Sequence, residues 1–175
     1  LLSNPSIGGA LSGGDATLTG TANNDDAGYS LSGADTDNDG LTEIVIGAPG
    51  RMGGGAVYLV ASPSGSVALS TADAIISGVS SGDAAGISVA SGDTDGDGFM
   101  DLLIGGYGAD PNGSSSGAAW VLQGPLQGSI SLSSADAMIE GSSADDQLGK
   151  QVAMGDLDGD GYSDLVVGAP LEDSA

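Results

Sequence analysis

Three runs of uninterrupted apolar residues, Ile44-Val45-Ile46, Leu102-Leu103-Ile104 and Leu165-Val166-Val167, punctuate an otherwise polar, glycine-rich chain. Continuous apolar runs of this length, bounded by Gly, Ser and Asp, fit strands buried on both faces better than strands with one wet side. Taking the second run as the example, the pattern predicts four short strands around residues 74–77, 88–91, 101–104 and 118–122. Gly and Ser interrupt every window of helical length, which disfavours helix throughout.

The pattern repeats. Asp35-Thr36-Asp37-Asn38-Asp39-Gly40, Asp93-Thr94-Asp95-Gly96-Asp97-Gly98 and Asp156-Leu157-Asp158-Gly159-Asp160-Gly161 each run into one of the apolar strands, at spacings of 58 and 63 residues. Twenty residues before each lies an Asp-Ala pair, Asp15-Ala16, Asp73-Ala74 and Asp136-Ala137, so the register extends beyond the acidic segment. Leu1, Leu59 and Leu122 stand 14 residues before those Asp, which divides the chain into units 1–58, 59–121 and 122–175, the last cut within a unit. An opening on Leu1 is expected of a chain drawn from a longer precursor. Four strands per period predict an all-β fold of three tandem four-stranded antiparallel, blade-like units, packed face to face as an incomplete ring or an open stack. Three such sheets are too few to close a propeller, which typically takes about four to eight.

Composition narrows the functions available. Of 175 residues, two are basic (Arg51 and Lys150) and 24 acidic, giving a net charge of −22, with no Cys and no His. A chain so poor in Lys and Arg repels phosphate backbones and anionic lipid, which excludes nucleic-acid and direct membrane-surface binding. Missing His and Cys remove the commonest general base, the thiol nucleophile and the soft metal ligands. No stretch approaches the roughly 20 apolar residues that span a bilayer. With aromatics at 3%, the core must come from Val, Ile, Leu and Ala.

The acidic segments carry the chemistry. Counting from Asp93, carboxylates fall at positions 1, 3, 5 and 9 (Asp93, Asp95, Asp97, Asp101), with Gly98 at position 6 to allow a sharp turn. The other copies supply Asp35, Asp37, Asp39 and Glu43, then Asp156, Asp158, Asp160 and Asp164. Position 7 offers a backbone carbonyl, from Leu41, Phe99 and Tyr162. Four carboxylates aimed at one point repel strongly unless a hard divalent cation sits among them, and calcium accepts such a crowded oxygen cage more readily than magnesium does. About three calcium ions are expected, which would add six charges and bring −22 to −16. An EF-hand is rejected, because its bidentate Glu at position 12 is replaced here by Ile46, Ile104 and Val167. A second periodic set, Asp25 or Asp26, Asp83, and Asp145 or Asp146, reads as side-chain capping of turns.

With these residues in place, the units resemble FG-GAP repeats, the blades of the integrin alpha-subunit propeller and of many bacterial surface proteins. The resemblance rests on the acidic loops and on Gly47-Ala48-Pro49 and Gly168-Ala169-Pro170, and it covers nearly the whole chain. The Phe-Gly pair of the family reads Ala27-Gly28, Ala85-Gly86 and Leu148-Gly149, and the second copy has Gly105-Gly106-Tyr107 for Gly-Ala-Pro. The resemblance implies structural calcium, with ligand recognition from variable loops or a partner subunit.

The expected function is a calcium-binding, extracellular or cell-surface scaffold or adhesion module, non-enzymatic, with a surface protein or glycan as possible ligand. The alternative is a repeating subunit of an extracellular filament, formed by self-association of calcium-fixed units end to end or by further repeats of the chain. An enzyme would have to use acids outside the loops, such as Glu140 and Glu172. Trp120 and Tyr58, at matching positions, are expected in the sheet core rather than on a carbohydrate platform, and Arg51 as a solvated loop charge. Asn112-Gly113-Ser114 forms a glycosylation acceptor pattern.

Overall fold

A computed structural model describes residues 16–172; Leu1 and Asp15, which carry the register of the first period, lie outside them. Thirteen strands make up the described residues: β1 (Ala16–Thr19), β2 (Ser30–Ala34), β3 (Glu43–Ala48), β4 (Ala56–Val60), β5 (Gly65–Ala68), β6 (Ala74–Ser77), β7 (Ser88–Gly92), β8 (Asp101–Gly106), β9 (Ala118–Leu122), β10 (Gly128–Ser131), β11 (Ala137–Glu140), β12 (Gln151–Gly155) and β13 (Asp164–Gly168). The helical segments among the described residues are two 3-10 turns, Leu69–Thr71 and Leu132–Ser134. The fold is all-β, as expected, and the four strands anticipated in the second period all form.

The first blade has the order β2-β3-β4-β6, antiparallel throughout, with β10 added in parallel outside β6. The second has the order β7-β8-β9-β11, and β12 pairs with β13 as the start of a third. The outermost strand of each blade therefore comes from the following sequence period. Residues 74–77 pair with β4 before them, Tyr58 opposite Ile75, and not with β7 after them. β5 and β10, which the pattern did not announce, reach back to lie parallel to β1 and β6.

Burial on both faces explains the uninterrupted apolar runs. Val45, Val57 and Leu59 point into a cluster shared with Leu102, Ile104, Trp120 and Leu122 between the first two blades. Their neighbours Ile46, Tyr58 and Val60 fill a second cluster on the opposite face, while Leu103 and Val121 meet Val152, Met154 and Val167 beyond the second blade. Tyr58 is fully buried and Trp120 nearly so, which places both in the sheet core. The third run departs from the expectation: Leu165 and Val166 are 38% and 44% exposed, because β12 and β13 have a blade on one face only among the described residues.

Small residues set the spacing between blades. Gly86 adopts φ +87°, and a Cβ on Gly47 would overlap its carbonyl oxygen, so the backbones approach to a distance no side chain permits. Ser30 Oγ donates to that same carbonyl at 2.8 Å, and Ser32 and Ser91 join hydroxyls at 2.9 Å across the same seam. Val152 N–H donates to Ser88 Oγ at 3.0 Å across the next.

Candidate metal centres

Each acidic segment connects the first strand of a blade to the second, which puts all three at the same end of their sheets. The first carboxylate organises the loop. Asp35 accepts N–H bonds from Asp39 (3.1 Å) and Gly40 (3.0 Å), Asp93 from Gly96 (2.7 Å) and Gly98 (3.1 Å), and Asp156 from Gly159 (2.7 Å), Asp160 (3.1 Å) and Gly161 (3.1 Å). Closing so tight a turn requires a left-handed residue at position 6, and Gly40, Gly98 and Gly161 have φ of +86°, +90° and +95°. The third and fifth carboxylates accept from the amides two residues on, so that Leu41, Phe99 and Tyr162 N–H groups end on Asp39, Asp97 and Asp160.

The ninth carboxylate rises from the start of the buried strand. Its oxygen accepts the N–H of position 2 in every copy: Thr36 on Glu43 at 2.7 Å, Thr94 on Asp101 at 2.9 Å, Leu157 on Asp164 at 2.9 Å. The Thr36 and Thr94 hydroxyls add a second bond each to the same oxygens. Asp101 also accepts from Gly124 N–H with its other oxygen at 2.9 Å, and is almost fully buried.

Three carboxylate groups result, each with oxygens within 4.8 Å of one another: Asp35, Asp37 and Asp39; Asp93, Asp95 and Asp101; and Asp156, Asp158 and Asp164. Glu43, Asp97 and Asp160 stand beside these groups without meeting that separation. The first group gathers Asp39 where the other two gather the ninth carboxylate, although Glu43 accepts from Thr36 just as Asp101 accepts from Thr94. At Asp95 the Asp97 N–H pulls the carboxyl downward, but loss of water and the charges of Asp97, Asp101 and Asp93 outweigh it, raising its pKa above the ordinary value. Crowded carboxylate charge with oxygen-only donors is the environment that a hard divalent cation relieves, so the donor set fits such an ion.

The other candidate residues take different places. Asp25, Asp83 and Asp146 are buried turn caps: Asp25 accepts from Thr21, Ala22 and Ala27, Asp83 from Val79 and Ser80, Asp146 from Ser142 and Ser143. Asp26 and Asp145, their alternatives, have positive φ beside them. Glu140 lies exposed on β11 and accepts from Asn112, while Glu172 lies exposed after β13. Arg51 departs from its expectation as a free charge: it donates to Ser77 Oγ at 3.1 Å and stacks 5.8 Å from the centroid of Tyr58. Two further aspartates, Asp73 and Asp136, close the long connections by accepting from Ala61 and Gln123 N–H. Their signal was the Asp-Ala pair that marked the period.

Comparison with known proteins agrees with this geometry. The chain is 36% identical to integrin alpha-5 of Xenopus laevis over 158 residues and 31% identical to integrin alpha-PS2 of Drosophila melanogaster over 163. These alignments take in 81% and 83% of the chain but only 14% and 12% of the relatives, so the chain spans a small part of their length. The FG-GAP repeat pattern matches residues 27–60, 85–122 and 148–175, each match beginning at the Phe-Gly position, Ala27-Gly28, Ala85-Gly86 or Leu148-Gly149, and including one acidic loop. This protein belongs to the FG-GAP repeat family.

Proposed function

We propose that the chain is a non-enzymatic, extracellular recognition module whose blades are fixed by calcium, one ion in each acidic loop. The first ion would be held by Asp35, Asp37, Asp39 and the Leu41 carbonyl with Glu43 as the ninth-position ligand; the second by Asp93, Asp95, Asp97, Asp101 and the Phe99 carbonyl; the third by Asp156, Asp158, Asp160, Asp164 and the Tyr162 carbonyl. The observation that carries this reading is the threefold recurrence of a carboxylate trio, with separations within 4.8 Å, on equivalent connections of successive blades, drawn from positions 1, 3 and 5 in the first loop and 1, 3 and 9 in the other two. Calcium bound only by the folded chain stabilises it by RT ln(1 + [L]/Kd), about 4 kcal/mol per site at a thousandfold excess over Kd. Millimolar extracellular calcium provides that excess for a micromolar site.

Support for a recognition role comes from the opposite end of the sheets. There the connections between β3 and β4 and between β8 and β9 differ in length and sequence, Pro49 to Gly55 against Tyr107 to Gly117, while the acidic loops keep one form. A constant framework with variable loops is the arrangement that binding modules use. Of the acids outside the loops that an enzyme would have to use, Glu140 is exposed and accepts from Asn112, and Glu172 is exposed after the last strand. No described feature favours a filament over such a module.

Isothermal titration of the chelated chain with calcium tests the metal assignment. About three ions per chain and a melting temperature that falls on chelation are expected; heat-silent titration and an unchanged melting temperature would overturn it.

A further inference from the structure

The acidic loops touch one another. Met100 N–H, at position 8 of the second loop, donates to the carbonyl of Asp35, position 1 of the first, at 3.1 Å. Ser163 N–H, at position 8 of the third loop, donates to the carbonyl of Asp93, position 1 of the second, at 2.7 Å. Side chains follow the same path. A Cβ built on Gly96 would lie 3.3 Å from Tyr162 Cδ1 and nearer still to Cε1, so the Tyr162 ring rests on the second loop. A Cβ on Gly98 would lie 3.3 Å from Asn38 Nδ2, within reach of the first. The residue whose carboxylate anchors one loop is thus the residue whose carbonyl anchors the next.

We propose that the three loops bind cations with positive cooperativity, transmitted through the bonds Met100 N–H to Asp35 and Ser163 N–H to Asp93. The inference rests on the metal reading above. An ion drawing Asp93 and its neighbours together fixes the Asp93 backbone, and with it the acceptor on which Ser163 depends. The third loop then closes with less conformational freedom left to lose. By linkage, an ion in the third loop favours the second to the same degree. Charge acts in the opposite direction, since a filled neighbour attracts the next cation less than an empty one; salt screens that repulsion between exposed groups, while the backbone bonds between loops are not weakened by it.

Gly40, Gly98 and Gly161 each donate an N–H to the first carboxylate of their own loop, so their amide resonances report the three loops separately. Calcium titration of the chain in about 0.15 M salt, followed by these signals, should give Hill slopes above 1 for Gly98 and Gly161. Ser163→Pro removes the donor without altering any charge and sits just before β13, where proline is tolerated. It should raise the midpoints of the second and third loops about fivefold, at the lower end of ordinary coupling, and leave Gly40 and Gly98 linked. Met100→Pro should do the reverse. Slopes of 1 or below in the unsubstituted chain, with normal saturation, would overturn the coupling and leave the metal reading standing. Loops that never respond to calcium would overturn both.

Discussion

Asp25, Asp83 and Asp146 occupy one position in three successive repeats, each buried and each spent on backbone N–H groups of its own turn. At Asp25, burial pushes the carboxyl pKa up, but bonds from Ala22, Ala27 and Thr21 together prevail and hold it below the ordinary value. A depressed folded-state pKa means that the charged form stabilises the fold above the usual carboxylate range, and that this contribution disappears as pH falls through the folded value. Asp25→Asn should therefore cost about 2 kcal/mol of unfolding free energy near neutrality, with the two denaturation curves converging in acid. Urea titrations at several pH values measure it. Capping was legible from the sequence at Asp83, and in the first and third repeats as a choice between adjacent aspartates. Which of the two caps was not legible, because that depends on which side chain the turn aims inward. Asn112 presents a similar lesson: its amide donates to Glu140 at 3.2 Å and to the Gly141 carbonyl at 2.9 Å, acting as a strut between β11 and its neighbouring loop. Asn112→Ala should cost about 1 kcal/mol, read from the shift in denaturation midpoint.

At the scale of elements, the short strands were legible because each apolar run is bounded by turn residues and recurs with the period. Their pairing was less so. Residues 74–77 join the sheet behind them because Asp73, which accepts from Ala61 N–H and donates its own N–H to Leu59, folds the chain back on β4. β5 and β10 escaped notice since their exposed Gly and Ser residues carry no apolar alternation, and backbone pairing alone places them. The Phe-Gly position of the family shows the same dependence on packing: Ala85 is fully buried where the family has Phe, with Trp120 in the same cluster. At the seam, Gly47→Ala would drive a Cβ into the Gly86 carbonyl, and relief requires separating two blades. A loss of at least 2 kcal/mol is expected, larger than for a glycine with open space and an ordinary backbone such as Gly155, and calorimetry of the two variants checks the contrast.

For the whole molecule, the governing quantity is a charge of −22 on 175 residues. Half of the acids lie in the three loops, so the folded chain without divalent ions concentrates its own repulsion at one end of the sheets. Monovalent salt should therefore raise the melting temperature of the chelated chain, through screening over a length that shrinks from about 30 Å at 0.01 M to about 3 Å at 1 M. After calcium is added the same salt series should be nearly flat, because the ions have already neutralised the closest charges. Differential scanning fluorimetry across salt, with and without calcium, gives both series.

Because each blade borrows its outer strand from the next period, and the edge of that strand is in turn covered by chain from the period after, the blades lap past one another like roof tiles. β5 edges β1 and β10 edges β6, while β11 carries no parallel strand among the described residues. A protease then meets the molecule as a roof is stripped: an inner tile is reached only after the one above it has lifted. Digestion would open at an outer strand whose edge is bare, as that of β11 is among the described residues, before it reached β6, and the length of the surviving fragment would record how many tiles had gone.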